Sequence, residues 1–244
     1  MIQFSFSVAH CSIQAETSYQ STRAFCRKFL TDEPADFCVQ TTPKGIQREI
    51  SRTREEYPLA VPSLHRAEKN ALLSLISDHL IDFDTFLMHG AVIAVDGEAY
   101  LFSAPSGTGK TTHIMQWLDH LPGAFVVNGD KPFIKFQEDG VKPLVCGSPW
   151  GGKENLYTNT MVPLKSIILM EHAEGNHIKQ IPFTEAFPIL LQQTYRPDDT
   201  EKMRKTLRLM QRLNPTVSFW RFQCNNFKGD CFEVAYSALV GGEK

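Results

Sequence analysis

The sequence predicts an α/β fold, a β-sheet covered by helices, with a small α+β lobe at its N-terminus. Three observations predict it. Short apolar runs alternate with helical patterns from residue 63 onward. A glycine-rich turn leads straight from one apolar run into a helix. The chain of 244 residues, 42% hydrophobic and 21% charged, can bury roughly 70–75% of its unfolded surface without staples.

Residues 1–60 read as the lobe and 61–244 as the main domain. Ile2, Phe4, Phe6 and Val8 alternate with polar residues, which predicts a strand over 2–9. "QSTRAFCRKFL" predicts a helix and "DFCVQTT" a second strand. "KGIQREISRTREEY" suits either a helix or a hairpin, and the two prolines of "YPLAVP" then break the pattern. From Ser63, the positions Leu64, Ala67, Leu72, Leu75, Ile76 and Leu80 share one helical face. Asp96-Gly97 between two apolar runs signals a hairpin, and its second strand ends at the glycine-rich turn. "KTTHIMQWLDHL" is a helix and "GAFVVNGD" a short buried strand that ends in an acid. Residues 142–159 read as loop. "LKSIILMEH" is a buried strand, followed by helices over 183–195 and 198–213, a strand over 216–225 and a closing helix over 229–240.

Composition excludes several function classes. The net charge of −2 gives no basic stripe for nucleic acid. No apolar run reaches the ~18 residues of a membrane helix. The N-terminus lacks the basic segment of a signal peptide. The six cysteines form no C-x-x-C pair, which argues against zinc and against a disulfide framework. A soluble, cytoplasmic protein with free thiols is expected.

"SAPSGTGKTTH" carries the chemistry. It matches G-x-x-x-x-G-K-[ST] with Ala104 in place of the first glycine. Backbone N–H groups must converge on phosphate oxygens, which glycine permits, and the following helix N-terminus favours anions. The nucleotide-binding set is therefore Ala104, Pro105, Ser106, Gly107, Thr108, Gly109, Lys110, Thr111 and Thr112. Lys110 would reach the β/γ-phosphates, and the Thr111 hydroxyl would ligate Mg²⁺. A negative φ at Ala104 would make its methyl harmless; a positive φ would cost on the order of 1–2 kcal/mol.

Other candidates are each weighed against a structural alternative. Asp130 ends an apolar strand and suits either the Mg²⁺ ligand or the base of phosphoryl transfer; the alternative is a turn aspartate. Lys131 could neutralise developing charge or lie idle on the surface. His89, on the strand expected to pair with the loop's own strand, could approach the γ-phosphate or simply pack. Lys153 and Glu154 lie in a glycine-rich stretch where function concentrates. His113 and Trp150 read better as packing and anchoring residues, and Arg196 better as a helix-cap partner than as an arginine finger.

His89-Gly90, "SGTGKTTH", "NGDKP" at 128–132 and "GSPWGGKE" at 147–154 together resemble the HPr kinase/phosphorylase family. The loop is also similar to that of ATP-type phosphoenolpyruvate carboxykinase. The resemblance spans residues 85–240 and is nearest to small bacterial HPr-kinase-related proteins, several of which accompany ribosomally made peptide pathways. It implies a mixed-sheet nucleotide-binding core of the HPr kinase/phosphoenolpyruvate carboxykinase type. It makes Lys110 and Thr111 phosphate and metal contacts and Asp130 the acid after the next strand. Such kinases carry two consecutive aspartates there, whereas this chain has Gly129-Asp130. Their later glutamate-arginine-glycine signature is absent, and "PWGGKE" occupies its place, which makes Lys153 and Glu154 candidates by position. Carboxykinases are longer, with extra metal ligands and substrate arginines for which this chain has no room.

The leading expectation is an ATP- and Mg²⁺-dependent kinase acting on a hydroxyl, serine foremost, of a protein or peptide such as a ribosomally made precursor. Catalysis would fall to Asp130, Lys110, His89, Lys131, Lys153 and Glu154, with Thr111 and Asp130 at the metal. A nucleotide-binding scaffold or regulator and a small-molecule kinase are the alternatives. No nucleic-acid or membrane partner is expected, and a homo-oligomer fits the resemblance.

Overall fold

The computed structural model describes residues 1–137, 142–225 and 229–241. They divide into two units, Met1–Thr85 and Phe86–Lys244.

The first unit begins with a hairpin of β1 (Ile2–Val8) and β2 (Cys11–Thr17). The turn residues Ala9 and His10 both take positive φ, 54° and 56°. That tight turn matches strand twist, but it uses neither glycine nor asparagine, so β2 leaves no turn signature and went unforeseen. Helix α1 (Gln20–Phe25) leads to β3 (Phe37–Gln40), which lies parallel to β2. The ambiguous charged stretch is a helix, α2 (Pro43–Glu56): Thr42 caps it by accepting from the Gly45 N–H at 3.1 Å, and Pro43 opens it. Its Ile46 and Ile50 pack on Ala67 and Ala71 of α3 (Leu64–Leu80). That packing puts α3 in the first unit, so the unit closes after Thr85 and not at residue 60.

Glu68 of α3 is fully buried. Its carboxylate accepts from the N–H groups of Ser18 (2.6 Å) and Tyr19 (3.2 Å), and from the hydroxyls of Thr41 (3.0 Å) and Thr22. It satisfies N–H groups at the start of α1, where a side-chain cap is lacking.

The second unit is built on a nine-stranded mixed sheet. Its strands are β4 (Thr85–Leu87), β5 (Ala91–Val95), β6 (Glu98–Ser103), β7 (Phe125–Asn128), β8 (Phe133–Lys135), β9 (Leu144–Cys146), β10 (Met161–His172), β11 (His177–Ile181) and β12 (Ser218–Cys224). The order runs β4-β8-β9-β10-β6-β5-β7, with β12 between β10 and β11. β10 lies parallel to both β6 and β12, and the β9–β10, β8–β9, β5–β6, β5–β7 and β11–β12 pairs are antiparallel. The expected hairpin at Asp96-Gly97 forms, with φ of 52° and 78°. β9 falls within the stretch expected to be loop; three-residue strands such as β8 and β9 are too short to show a period.

Both faces of this sheet are covered, so β5 and β6 are almost wholly buried. On one face, Leu101, Leu164, Ile167 and Leu169 meet α5 (Phe183–Gln193) and α6 (Thr200–Gln211). On the other, Tyr100, Phe102, Ile168 and Met170 meet α4 (Lys110–His120) and α7 (Cys231–Leu239). Among the described residues no helix is long and apolar enough to cross a membrane, and all six cysteines are free thiols.

Removing the Glu68 carboxylate would leave several buried donors unpaired. Glu68→Ala should therefore destabilise the protein by about 3 kcal/mol, read as a lowered urea midpoint; an unchanged midpoint would show that water replaces the carboxylate.

Candidate functional site

Topology gathers the site. β6 and β7 both run antiparallel to β5, so the ends of β6 and β7 and the start of β5 share one edge of the sheet. Three segments therefore converge there: the glycine-rich turn after β6, the turn after β7 with Asp130, and His89-Gly90 before β5. His89 precedes its strand rather than lying within it. The carboxyl ends of sheet strands are where α/β folds place ligands.

The turn over 104–109 enters α4 directly. Gly107 and Gly109 have φ of 86° and 96°, whereas Ala104 has no positive φ and is buried. The alanine methyl is thus compatible with the turn. Gly109 occupies the N-cap position and supplies no side-chain cap, and a helix N-terminus of this kind favours an anion. The Lys110 ammonium folds back over the turn and donates to the carbonyls of Ala104 (2.8 Å) and Pro105 (3.1 Å). Burial lowers Lys110 to about 8; Asp130 pulls it upward and Lys131 presses it down. Thr111 is half-buried, while Pro105, Ser106 and Thr112 are exposed.

Asp130 faces this lysine. Its Oδ1 lies 3.2 Å from His89 Nε2. Burial works to raise the carboxyl, yet the hydrogen bond from His89 and the positive charges of Lys131, His89 and Lys110 carry it below its usual range. Electrostatically, Lys110, Lys131, His89 and Asp130 form one group.

The turn itself is held by a residue that the sequence reading passed over. Asn128 is fully buried, and its Oδ1 accepts from the N–H groups of Asp130 (2.9 Å) and Lys131 (2.7 Å). Its amide donates to the carbonyl and hydroxyl oxygens of Ser148, both at 3.0 Å. An asparagine ending a strand before Gly-Asp is a known turn signal, so this residue was legible in principle. Gln193 was not: it reaches His89 across 104 residues of sequence, with Oε1 2.9 Å from Nδ1.

The stretch over 147–158 lies against this turn, backbone on backbone. Gly129 N–H donates to Leu156 and Lys131 N–H to Trp150. A Cβ on Gly129 would stand 2.7 Å from the Gly151 carbonyl oxygen, and one on Gly151 2.5 Å from that of Leu156. Trp150 is buried as an anchor. Lys153 and Glu154 are exposed; a Cβ on Gly152 would lie 3.3 Å from Asp130 Cβ and 3.7 Å from Glu154 Oε2, so the glutamate lies on the Asp130 side. His113 belongs to the core. It accepts from Trp117 Nε1 at 3.0 Å, lies 3.4 Å from Cys231 Sγ, and is pushed by burial to about 4.

A triphosphate fits the donors on this edge, namely uncapped helix amides and a buried lysine. The hydroxyl of Thr111 and the carboxylate of Asp130 are hard oxygen donors of the kind Mg²⁺ takes alongside phosphate and water. No group of three or more His, Cys, Asp or Glu residues suited to a metal occurs among the described residues.

No family model and no curated protein matches this chain. Among solved structures, the HPr(Ser) kinase/phosphatase from Coxiella burnetii is similar at 12% identity and a TM-score of 0.31, over 52% of this chain and 90% of that one. A likeness at that score assigns no activity.

Asn128→Ala would free two amide donors at the turn. It should cost about 3 kcal/mol, seen as a lower thermal midpoint; a midpoint within error of the unaltered protein would mean that the backbone contacts alone hold the turn.

Proposed function

We propose that this chain is an ATP- and Mg²⁺-dependent phosphotransferase that acts on a hydroxyl of a protein or peptide. The observation that carries the reading is the opposition of Lys110, buried at an uncapped helix N-terminus, to the Asp130–His89 pair on the same sheet edge. Folding alone does not favour a lysine held where burial disfavours its charge, and an anionic ligand supplies the reason.

In this reading the amides over 107–112 and the Lys110 ammonium orient the phosphates. Asp130 takes the proton that the acceptor hydroxyl gives up as its oxygen bonds to the γ-phosphorus and the bond from that phosphorus to the bridging β-phosphate oxygen breaks, releasing ADP. Lys131 and Lys153 balance negative charge, and Glu154 orients the acceptor or the metal. Thr111 and Asp130 would hold Mg²⁺, which neutralises phosphate charge when bound. A serine acceptor, a ribosomally made precursor among them, is part of the same proposal.

A second reading, nucleotide binding without transfer, draws on Gly129. The Gly151 carbonyl leaves no room for a side chain at that position, so Asp130 has no second carboxylate beside it.

Transfer of γ-³²P from ATP to candidate peptides tests the choice. Asp130→Asn should abolish labelling while ATP binding survives; no labelling by the unaltered protein, with ATP bound, would favour the second reading.

Lys110 sets the pH dependence. Bound phosphate favours the ammonium, so ATP binding should take up protons above about pH 8 and weaken as the pH rises through that value. Calorimetry in buffers of different ionisation enthalpy measures the uptake. Lys110→Met should weaken ATP binding roughly tenfold to a hundredfold, the worth of one charged hydrogen bond. It should not lower stability at neutral pH. With its folded value below the ordinary one, Lys110 costs stability at neutral pH, and that cost lifts only as the pH rises from about 8 towards the value in the unfolded chain.

A further inference from the structure

The connection between α2 and α3 carries the most exposed large apolar side chains among the described residues. Leu59 and Val61 are 99% and 96% exposed, and Tyr57 and Leu64 beside them are about half exposed. The two helices bury their inner faces on each other through Ile46, Ile50, Ala67 and Ala71, and the connection contributes nothing to that core. A single exposed leucine is ordinary. Four large apolar side chains in so short a segment make a patch on the order of 500 Å², as large as the largest on a typical monomer. The segment is also stiff. The Ala60 N–H donates to the Tyr57 carbonyl at 2.9 Å, closing a turn with Pro58 at its second position, and Pro62 restrains the residue before it. Docking such a segment orders little chain.

The charges at its two ends point to what covers it. α2 ends on Glu55-Glu56, and α3 carries Arg66 in a first turn that has no acid. A helix C-terminus favours cations and an N-terminus favours anions, so these residues have the sign that their own helix end disfavours. Arg54, in the last turn of α2, has the favourable sign, but two glutamates follow it. Glu55, Glu56 and Arg66 are exposed, and among the described residues they enter no ion pair.

The order acid, apolar, base is complementary to itself. Pro58-Leu59-Ala60-Val61-Pro62 reads alike from either end in residue class. A second copy turned about a two-fold axis through Ala60 sets Val61 against Leu59 and Leu59 against Val61, as an isologous contact requires. The same rotation brings the start of α3 in each copy to the end of α2 in the other. Two such patches together would bury about 1,000 Å², the least that a specific interface needs.

We propose that residues 57–64 form a self-association surface, at which two copies of this chain pair about a two-fold axis, apolar turn on apolar turn, with Arg66 facing the partner's Glu55 and Glu56. A contact of this size is weak, so the pair forms in the upper micromolar range. The inference is independent of the phosphotransferase reading.

Sedimentation equilibrium of the full-length protein over a rising concentration series tests it. The average mass should climb from one chain toward two. Leu59→Asp with Val61→Asp should hold the protein at one chain throughout, with an unchanged thermal midpoint because neither side chain is buried. Arg66→Glu should weaken pairing about tenfold at low salt, since the axis counts each charge pair twice. Adding Glu55→Lys and Glu56→Lys to that variant should restore most of the loss. Ala60→Cys, on the axis, should cross-link two copies on oxidation in a Cys38→Ser background, because the other five cysteines are buried. A single chain at every concentration overturns the proposal and leaves the segment to a partner of different sequence. Dimers that survive Leu59→Asp with Val61→Asp overturn it by placing the contact elsewhere. Charge reversal that restores nothing overturns the two-fold arrangement.

Discussion

The site depends on one strand. β5 runs against both of its neighbours, β6 and β7, and this alternation forces the exits of β6 and β7 to the edge where β5 enters. Everything at that edge is consequently tied to main-chain hydrogen bonds in a sheet buried on both faces. A lysine after one strand, a carboxylate after a second and an imidazole before the third need no long loop to meet. Rigid elements hold side chains more closely than loops do, and here the connecting segments are only a few residues long.

Around that edge, close packing of backbone takes over from packing of side chains. Gly129, Gly147 and Gly151 allow the 128–131 turn and the 147–158 stretch to touch through carbonyls and amides. Asn128 closes the arrangement from beneath, since one side chain satisfies the N–H groups of Asp130 and Lys131 while reaching Ser148. The acid is thereby aimed by its own main chain, and its neighbours on the 147–158 stretch follow its position. The first unit shows the same economy: the Glu68 carboxylate gathers β2, α1 and β3 through their ends.

Much of this was legible in the sequence, and the rest has physical reasons for being hidden. Long periodic segments such as α3 and β10 announce themselves, as does Asp-Gly in the β5–β6 hairpin. The glycine-rich turn carries its own strand and helix context. β2 stayed hidden because its turn uses Ala9-His10, residues that rarely accept positive φ. β8 and β9 are too short for a period to show. Asp130 could be picked out by its place after an apolar run, whereas Gln193 lies in an ordinary amphipathic helix, and only tertiary folding reveals what it touches. His113 shows the converse: adjacency to a motif suggests chemistry, but the helical period turns it into the core.

The folded-back Lys110 has one more consequence. With two carbonyls already accepting from its ammonium, the turn holds its curl by its own hydrogen bonds. A phosphate entering there would exchange partners with the lysine instead of ordering a slack loop. Such an exchange would carry little conformational entropy cost. The turn would then serve as a tolerant seat for any polyphosphate chain, and discrimination among guests would fall to whatever lies past the last phosphate, on the side of Asp130 and Lys131.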